Sequence, residues 1–169
     1  MKDCASASAS LLGVKPSGKG PRTILAVDYG RRKIGLALSD ALALTARPLA
    51  IVPRTNRSAA FRTLRELSRQ HHVGHIIVGC PLHLSGKASD LSNEATRFAS
   101  RLQKELGLPV EMFDERLTTW QAKQILTSHG GPSAQNRSLD ALAAAIFLQE
   151  YLDERSGRRS ILPEPQEVG

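Results

Sequence analysis

Hydrophobic positions in this chain fall into short runs and stripes whose period changes along its length. Ile24-Leu25-Ala26-Val27 is short, apolar and partly β-branched, which predicts a buried strand ending at or near Asp28. Beyond Gly30, Ile34, Leu36 and Leu38 alternate with Gly35, Ala37 and Ser39, so a second strand is expected to return beside the first, with Gly30 turning the chain through a positive φ. LTARPLAIVPR (44–54) predicts a third strand, placed toward a sheet edge by Pro48. SAAFRTLRELSRQHH (58–72) puts Phe61, Leu64 and Leu67 on one side and charges on the other, the pattern of an amphipathic helix. HIIVGCP (75–81) reads as a short buried strand followed by a loop, LHLSGKAS. From Ser89, apolar residues recur at Leu91, Ala95, Phe98, Leu102 and Leu106 until Gly107 and Pro109 end a long helix. VEMFDERLTTW begins as a strand and is expected to become helical near Thr118, with Ala122, Ile125 and Leu126 as its stripe. Ser138 then caps a last, largely buried helix, LDALAAAIFLQEYLDE.

This order predicts an α/β domain: a three-strand antiparallel meander continued by parallel strands in a mixed five-stranded sheet. Right-handed crossovers place helices on both faces, giving three layers.

At 169 residues the chain has room for one substantial core, and no apolar run is long enough to span a bilayer. Residues 1–22 and 156–169 read as disordered tails around a 23–155 domain, the first one basic. The formal charge of +7 suggests a polyanionic partner, although setting aside residues 1–22 and 155–169 leaves 16 basic against 13 acidic side chains, a core of only +3. Aromatic residues make up 4%, which argues against a single-strand binder that stacks bases. The two cysteines, Cys4 in the tail and Cys80, provide no disulfide framework and point to the cytoplasm.

Candidate chemistry rests on carboxylates. Asp28 closes the first strand, Asp114-Glu115 closes the last, and Asp140 lies in the first turn of the final helix. In open α/β sheets, sites lie beyond the carboxyl ends of the parallel strands, where these acids could meet around a hard cation. Side chains alternate along a strand, so only one of Asp114 and Glu115 is expected to reach Asp28; Glu115 is favoured because its side chain is longer. Each acid has a plainer explanation. Asp28 could be a turn residue, and Asp140 could be stabilised by the helix dipole. Asp40, at the opposite edge of the sheet from Asp28, is read as a turn former. His71-His72-x-x-His75 has a zinc-like look but spans a helix end and a strand start, so a solvated surface is the better reading. Arg31-Arg32-Lys33 is either a solvated turn or, beside Asp28, a grip on a phosphate backbone. No P-loop pattern is present.

AVDYGRRKIGLALSD, IIVGCPLHLSGKASD, DERLTTWQA and SLDALAAAIFLQEYL, taken in order from about Thr23 to Tyr151, resemble the YqgF/RuvX family. The resemblance implies an RNase H-like fold related to the RuvC Holliday junction resolvases, and a nuclease that processes the 5′ end of precursor 16S rRNA. Carried over by position, the family's acids fall on Asp28, on Asp114 and Glu115, and on Asp140. Asp28, Glu115 and Asp140 are then the expected ligands of Mg2+ or Mn2+, and Gly30, Arg31, Arg32, Lys33, Lys87 and Arg116 the expected substrate contacts. The expected partner is structured RNA, with branched DNA as the alternative, and the expected state is a monomer or homodimer with no membrane association. Two features depart from the family: Cys80 stands where an apolar residue is usual, and Gly86-Lys87-Ala88-Ser89 lacks the usual second glycine, so Lys87 would have to supply the phosphate contact electrostatically.

Two other classes fit parts of the pattern. A ribosome-assembly or nucleic-acid binding factor without cleavage would explain the modest core charge and the altered loop. A sugar-kinase or actin-like ATPase shares the DxG hairpin but needs two domains around its nucleotide, and this chain has room for one.

Overall fold

The computed structural model describes residues 22–80, 90–114 and 136–157. Five strands, β1 (Thr23–Tyr29), β2 (Lys33–Ser39), β3 (Ala46–Pro53), β4 (Val73–Cys80) and β5 (Val110–Asp114), form one sheet in the order β3-β2-β1-β4-β5. Pairing is antiparallel from β1 to β2 and from β2 to β3, and parallel from β1 to β4 and from β4 to β5. The meander and its parallel continuation are those the hydrophobic pattern predicts. Pro48 lies on the edge strand, where the register slips between Leu36 and Ala37, so its missing N–H costs the ladder little.

Alternation along the strands divides the core in two. Leu25, Val27, Tyr29, Leu36, Leu38 and Val78 face α1 (Arg57–Gln70) and α2 (Asp90–Leu106), meeting Phe61, Leu64, Phe98 and Leu102. Ile24, Ala26, Ala37 and Ile77 face α3 (Asn136–Arg155), meeting Ala144, Phe147, Leu148 and Leu152. The three layers follow from the period-2 pattern, because each strand that is apolar on both faces needs a helix on each. The cluster on the α3 side includes four buried alanines, Ala26 and Ala37 from the sheet and Ala144 and Ala145 from the helix, among larger residues such as Phe147 and Leu148.

The helix ends have identifiable causes. Asn56 caps α1, its side chain accepting from the Ala59 N–H at 3.0 Å, and α2 stops at Gly107, whose φ of 66° sends its N–H back to the Gln103 carbonyl. Two expectations need correction. α3 starts at Asn136, so Ser138 lies inside the helix rather than capping it: hydrophobic periodicity locates a helix but not its first turn. Gly30 is not among the residues with positive φ; its role is steric, as described below. The helix expected near Thr118 and the loop after Pro81 lie outside the described residues.

Candidate active site

Asp28 is the sixth residue of β1, half-buried, opposite Gly35 of β2. It shares the strand parity of Ile24 and Ala26, so its position belongs to the α3 side of the sheet. The next described acid along the sheet end is Asp114, the last residue of β5, in register with Cys80. β4 separates β1 from β5, so the two acid-bearing strands run about 10 Å apart. Position 114 carries the parity of Met112, which packs with the α1/α2 cluster, whereas Phe113 packs on the α3 side.

The third acid comes from the helix, and ring contacts fix its direction. Tyr151 donates to the Glu111 carboxylate at 3.0 Å, and Phe147, one turn earlier, stacks on Phe113 with ring centroids 6.2 Å apart. Tyr151 reaches Glu111 and the edge of Phe113, while Phe147 reaches Phe113, so the helix runs against the parallel strands. Asp140 precedes Phe147 by seven residues, about 10 Å along the axis, which carries the first turns of α3 to and past the carboxyl ends of β1 and β5. Asp140 also precedes Ala144 by four positions and Leu148 by eight, the spacing of the sheet-facing stripe. The three acid-bearing backbone positions thus share one end of the sheet. The side chains of Asp114 and Asp140, and Glu115, Lys87 and Arg116 altogether, lie outside the described residues, and among those described no group of three or more His, Cys, Asp and Glu is placed to hold a metal.

Beside Asp28 the chain turns through Gly30-Arg31-Arg32. The Gly30 N–H donates to the Lys33 carbonyl at 3.0 Å and to the Asp28 carbonyl at 3.2 Å. A Cβ on Gly30 would sit 2.7 Å from the Lys33 carbonyl oxygen, so glycine is required for close approach of backbone to backbone. Arg31 and Arg32 are exposed.

Arg54, which sequence reading passed over, organises this turn from the far side. Its guanidinium donates to the Gly30 carbonyl at 2.6 Å and the Arg31 carbonyl at 3.0 Å, its backbone N–H to the Arg32 carbonyl at 2.9 Å, and its other terminal nitrogen to Glu94 of α2 at 2.9 Å. The same group lies 4.1 Å over the ring of Tyr29, which packs on Phe98. Burial raises the Tyr29 hydroxyl above its ordinary pKa, with the nearby Arg54 charge opposing the shift.

The remaining candidates separate cleanly. Asp40 is the turn former expected of it: its Oδ1 accepts from Leu44 N–H at 2.6 Å and Thr45 N–H at 3.0 Å, and these bonds, Thr45 foremost, hold its carboxyl below the usual range. The three histidines do not converge. His71 ends α1, His72 takes a left-handed φ of 51°, and His75 in β4 reaches Glu111 at 3.2 Å. A carboxylate only accepts, so the His75 Nε2 carries the proton in that contact.

A mixed sheet of this order between helical layers, with acid-bearing positions at the carboxyl ends of its first and last strands, defines the RNase H-like class of α/β proteins. The fold is similar to that of T. thermophilus RuvC solved in complex with a Holliday junction substrate, with a TM-score of 0.51 and 17% identity over 81% of this chain and 97% of that one. Residues 22–154 match the RuvX family, described as Holliday junction resolvase, and the chain belongs to that family. Relatives carrying the name "Putative pre-16S rRNA nuclease" include one from Koribacter versatilis, 41% identical over 78% of this chain and 87% of its own, and one from Azotobacter vinelandii, 39% identical over 80% and 96%. Membership makes the chain a hydrolase of the nuclease class. No helix among the described residues is long and apolar enough to cross a membrane.

Proposed function

We propose that this protein is a metal-dependent endonuclease that cleaves phosphodiester bonds in structured RNA and processes the 5′ end of precursor 16S rRNA. The observation that carries the reading is the arrival of three acid-bearing positions, Asp28, Asp114 and Asp140, from three separate elements at one end of the sheet. The name carried by the relatives, pre-16S rRNA nuclease, supports the choice of RNA as substrate.

The candidate donor set fits a hard divalent cation: every member is a carboxylate, and Asp28 is half-buried at a strand end, where a cation compensates the lost hydration. Asp28, Glu115 and Asp140 would hold it. Glu115 is preferred over Asp114 because its longer side chain reaches further from a strand end. With magnesium or manganese bound, such a site supplies an activated water and neutralises charge on the leaving oxygen. The chain's own residues bring three negative charges to a place where they repel one another without metal, and the turn after Asp28 brings Arg31, Arg32 and Lys33 to hold the phosphates on either side of the bond. Lys87 and Arg116 are proposed to extend that contact. The working unit is the 23–155 domain, acting in the cytoplasm as a monomer or homodimer.

A second reading, cleavage of branched DNA, takes its support from the family description and the RuvC fold. Comparing cleavage of a precursor 16S rRNA fragment and a four-way DNA junction at equal salt and magnesium decides between them. Preferential cleavage of the RNA near the mature 5′ end is expected, and preferential resolution of the junction would overturn the RNA assignment.

A further inference from the structure

The turn that follows Asp28 is shaped by an arginine that follows another strand, β3. Gly30 and Arg31 direct consecutive carbonyls at the guanidinium of Arg54, and Arg32 directs the next at the Arg54 backbone N–H. Peptide units are planar and trans, so a carbonyl drawn to one side sends the N–H of the same unit to the other. The peptide that bears the Gly30 carbonyl bears the Arg31 N–H, and the one that bears the Arg31 carbonyl bears the Arg32 N–H. Both N–H groups are therefore turned away from Arg54, on the side remote from its guanidinium, within four residues of Asp28 and on a stretch whose side chains are exposed and basic. Two adjacent N–H donors beside two guanidinium side chains suit a phosphodiester oxygen.

Arg54 is well fitted to hold this shape. Its side chain is only 20% exposed, stacked on Tyr29 and tied to Glu94, so the guanidinium plane is fixed before it meets the carbonyls. The tie also joins the turn to α2. A lysine has neither the planar fork nor the stacking face needed to make these contacts together.

We infer that Arg54 is the positioning residue of a phosphate-binding turn: by holding the carbonyls of Gly30 and Arg31, it directs the N–H groups of Arg31 and Arg32 outward to take a backbone phosphate of the nucleic acid beside Asp28. This inference rests on the proposed function only in needing a nucleic-acid ligand at this end of the sheet, and it assigns Arg54 no contact with the reacting atoms.

The test measures binding under EDTA, so that it does not depend on cleavage. Affinity for a fluorescently labelled RNA hairpin is followed against salt for the wild-type chain, Arg54→Lys, Arg31→Ala/Arg32→Ala, and the triple combination. Arg54→Lys keeps the charge, yet it is expected to weaken binding about tenfold and to lower the slope of log K against log salt by about one, the equivalent of one phosphate contact. In the Arg31→Ala/Arg32→Ala background the same change is expected to cost less than about twofold, because the N–H groups remain but the two guanidinium side chains that draw the phosphate onto them are gone. Arg65→Ala, which removes a charge on α1 that is paired with Glu105, controls for loss of basic side chains and is expected to stay within about twofold. With magnesium restored, Arg54→Lys raises KM and leaves kcat within about threefold, a split that a general loss of fold would not give. If Arg54→Lys does not fold, Glu94→Gln serves instead: it loosens the guanidinium without removing it, and a twofold to fourfold loss confined to chains with Arg31 and Arg32 intact is expected. Wild-type affinity and slope in a folded Arg54→Lys chain, or an equal loss in both backgrounds, would overturn the assignment. Absence of RNA binding by the wild-type chain would instead remove the nucleic-acid reading on which it rests.

Discussion

Gly30 gives the sharpest quantitative test of how the turn beside Asp28 is built, because two explanations of the same glycine forecast different rankings of variants. A Cβ at this position would lie 2.7 Å from the Lys33 carbonyl oxygen, well inside the separation of about 3.3 Å at which a carbon and a carbonyl oxygen normally meet. The obstacle is backbone, and that carbonyl is also the acceptor of the 3.0 Å bond from the Gly30 N–H, so relieving the clash stretches the bond that closes the turn. Losing that bond costs about 1 kcal/mol, and forcing the backbone apart costs a further 1–2 kcal/mol or so. Gly30→Ala is thus expected to destabilise the protein by about 2–3 kcal/mol, lowering Tm by about 4–12 °C for a chain of this size. Gly30→Asn discriminates: asparagine tolerates a left-handed φ but adds the same Cβ, so a steric requirement makes it at least as damaging as alanine, whereas a φ requirement makes it milder. Thermal melts followed by circular dichroism read both. A Gly30→Ala chain with unchanged Tm, or a Gly30→Asn chain clearly more stable than Gly30→Ala, would refute the steric argument.

Asp140→Asn should leave stability in metal-free buffer within about 1 kcal/mol of wild type, or raise it if the proposed carboxylates repel one another without metal, while cleavage at saturating magnesium falls about a hundredfold or more; melts and rates on one preparation read both, and a destabilised variant with near-normal turnover would exclude Asp140 from the site. Leu148→Ala opens a void in the fully buried contact between α3 and the sheet and should cost about 2–5 kcal/mol in urea unfolding, an effect much below that range contradicting the packing. The hydrogen bond from His75, seconded by the Tyr151 hydroxyl, holds the Glu111 carboxyl below its ordinary range, so its contribution is complete above the unfolded pKa of about 4.3 and is lost as pH falls through the lower folded value. Because Glu111 is half-exposed this amounts to less than about 1 kcal/mol, and Glu111→Gln should flatten the acid limb of the stability curve, an unaltered limb counting against the linkage.

Much of the architecture was legible because it is written in local pattern. The change of hydrophobic period from two to nearly four separated strands from helices, Pro48 marked the edge strand, and Gly107 marked the end of α2. Asp28 and Asp114 were legible as strand-end residues, whereas Asp140, expected in the first turn of the last helix, is the fifth residue of α3, whose first turn holds no acid. What escaped were interactions between residues distant in sequence. Arg54 reaches carbonyls 24 and 23 positions away and a carboxylate 40 positions away, and nothing in LTARPLAIVPR distinguishes it from any other strand-end arginine. Gly30 was recognised as necessary but for the wrong reason, because a close approach to Lys33 depends on how the hairpin closes and leaves no trace in residue type. The start of α3 was misplaced by three residues, Asn136 rather than Leu139, for a related reason: Asn, Ser and Asp residues all suit a helix start, and only the folded helix selects among them.

The central claim is that carboxylates at the carboxyl end of the sheet, Asp28 first among them, carry out phosphodiester cleavage. Single-turnover cleavage of a 5′-labelled precursor 16S rRNA fragment by the wild-type chain and by Asp28→Asn, with saturating magnesium and again with EDTA, tests it directly. The account predicts cleavage by the wild type that EDTA abolishes, and none above background by an Asp28→Asn chain whose melting curve shows it folded. Robust cleavage by that folded variant, or wild-type cleavage that persists in EDTA, would contradict it.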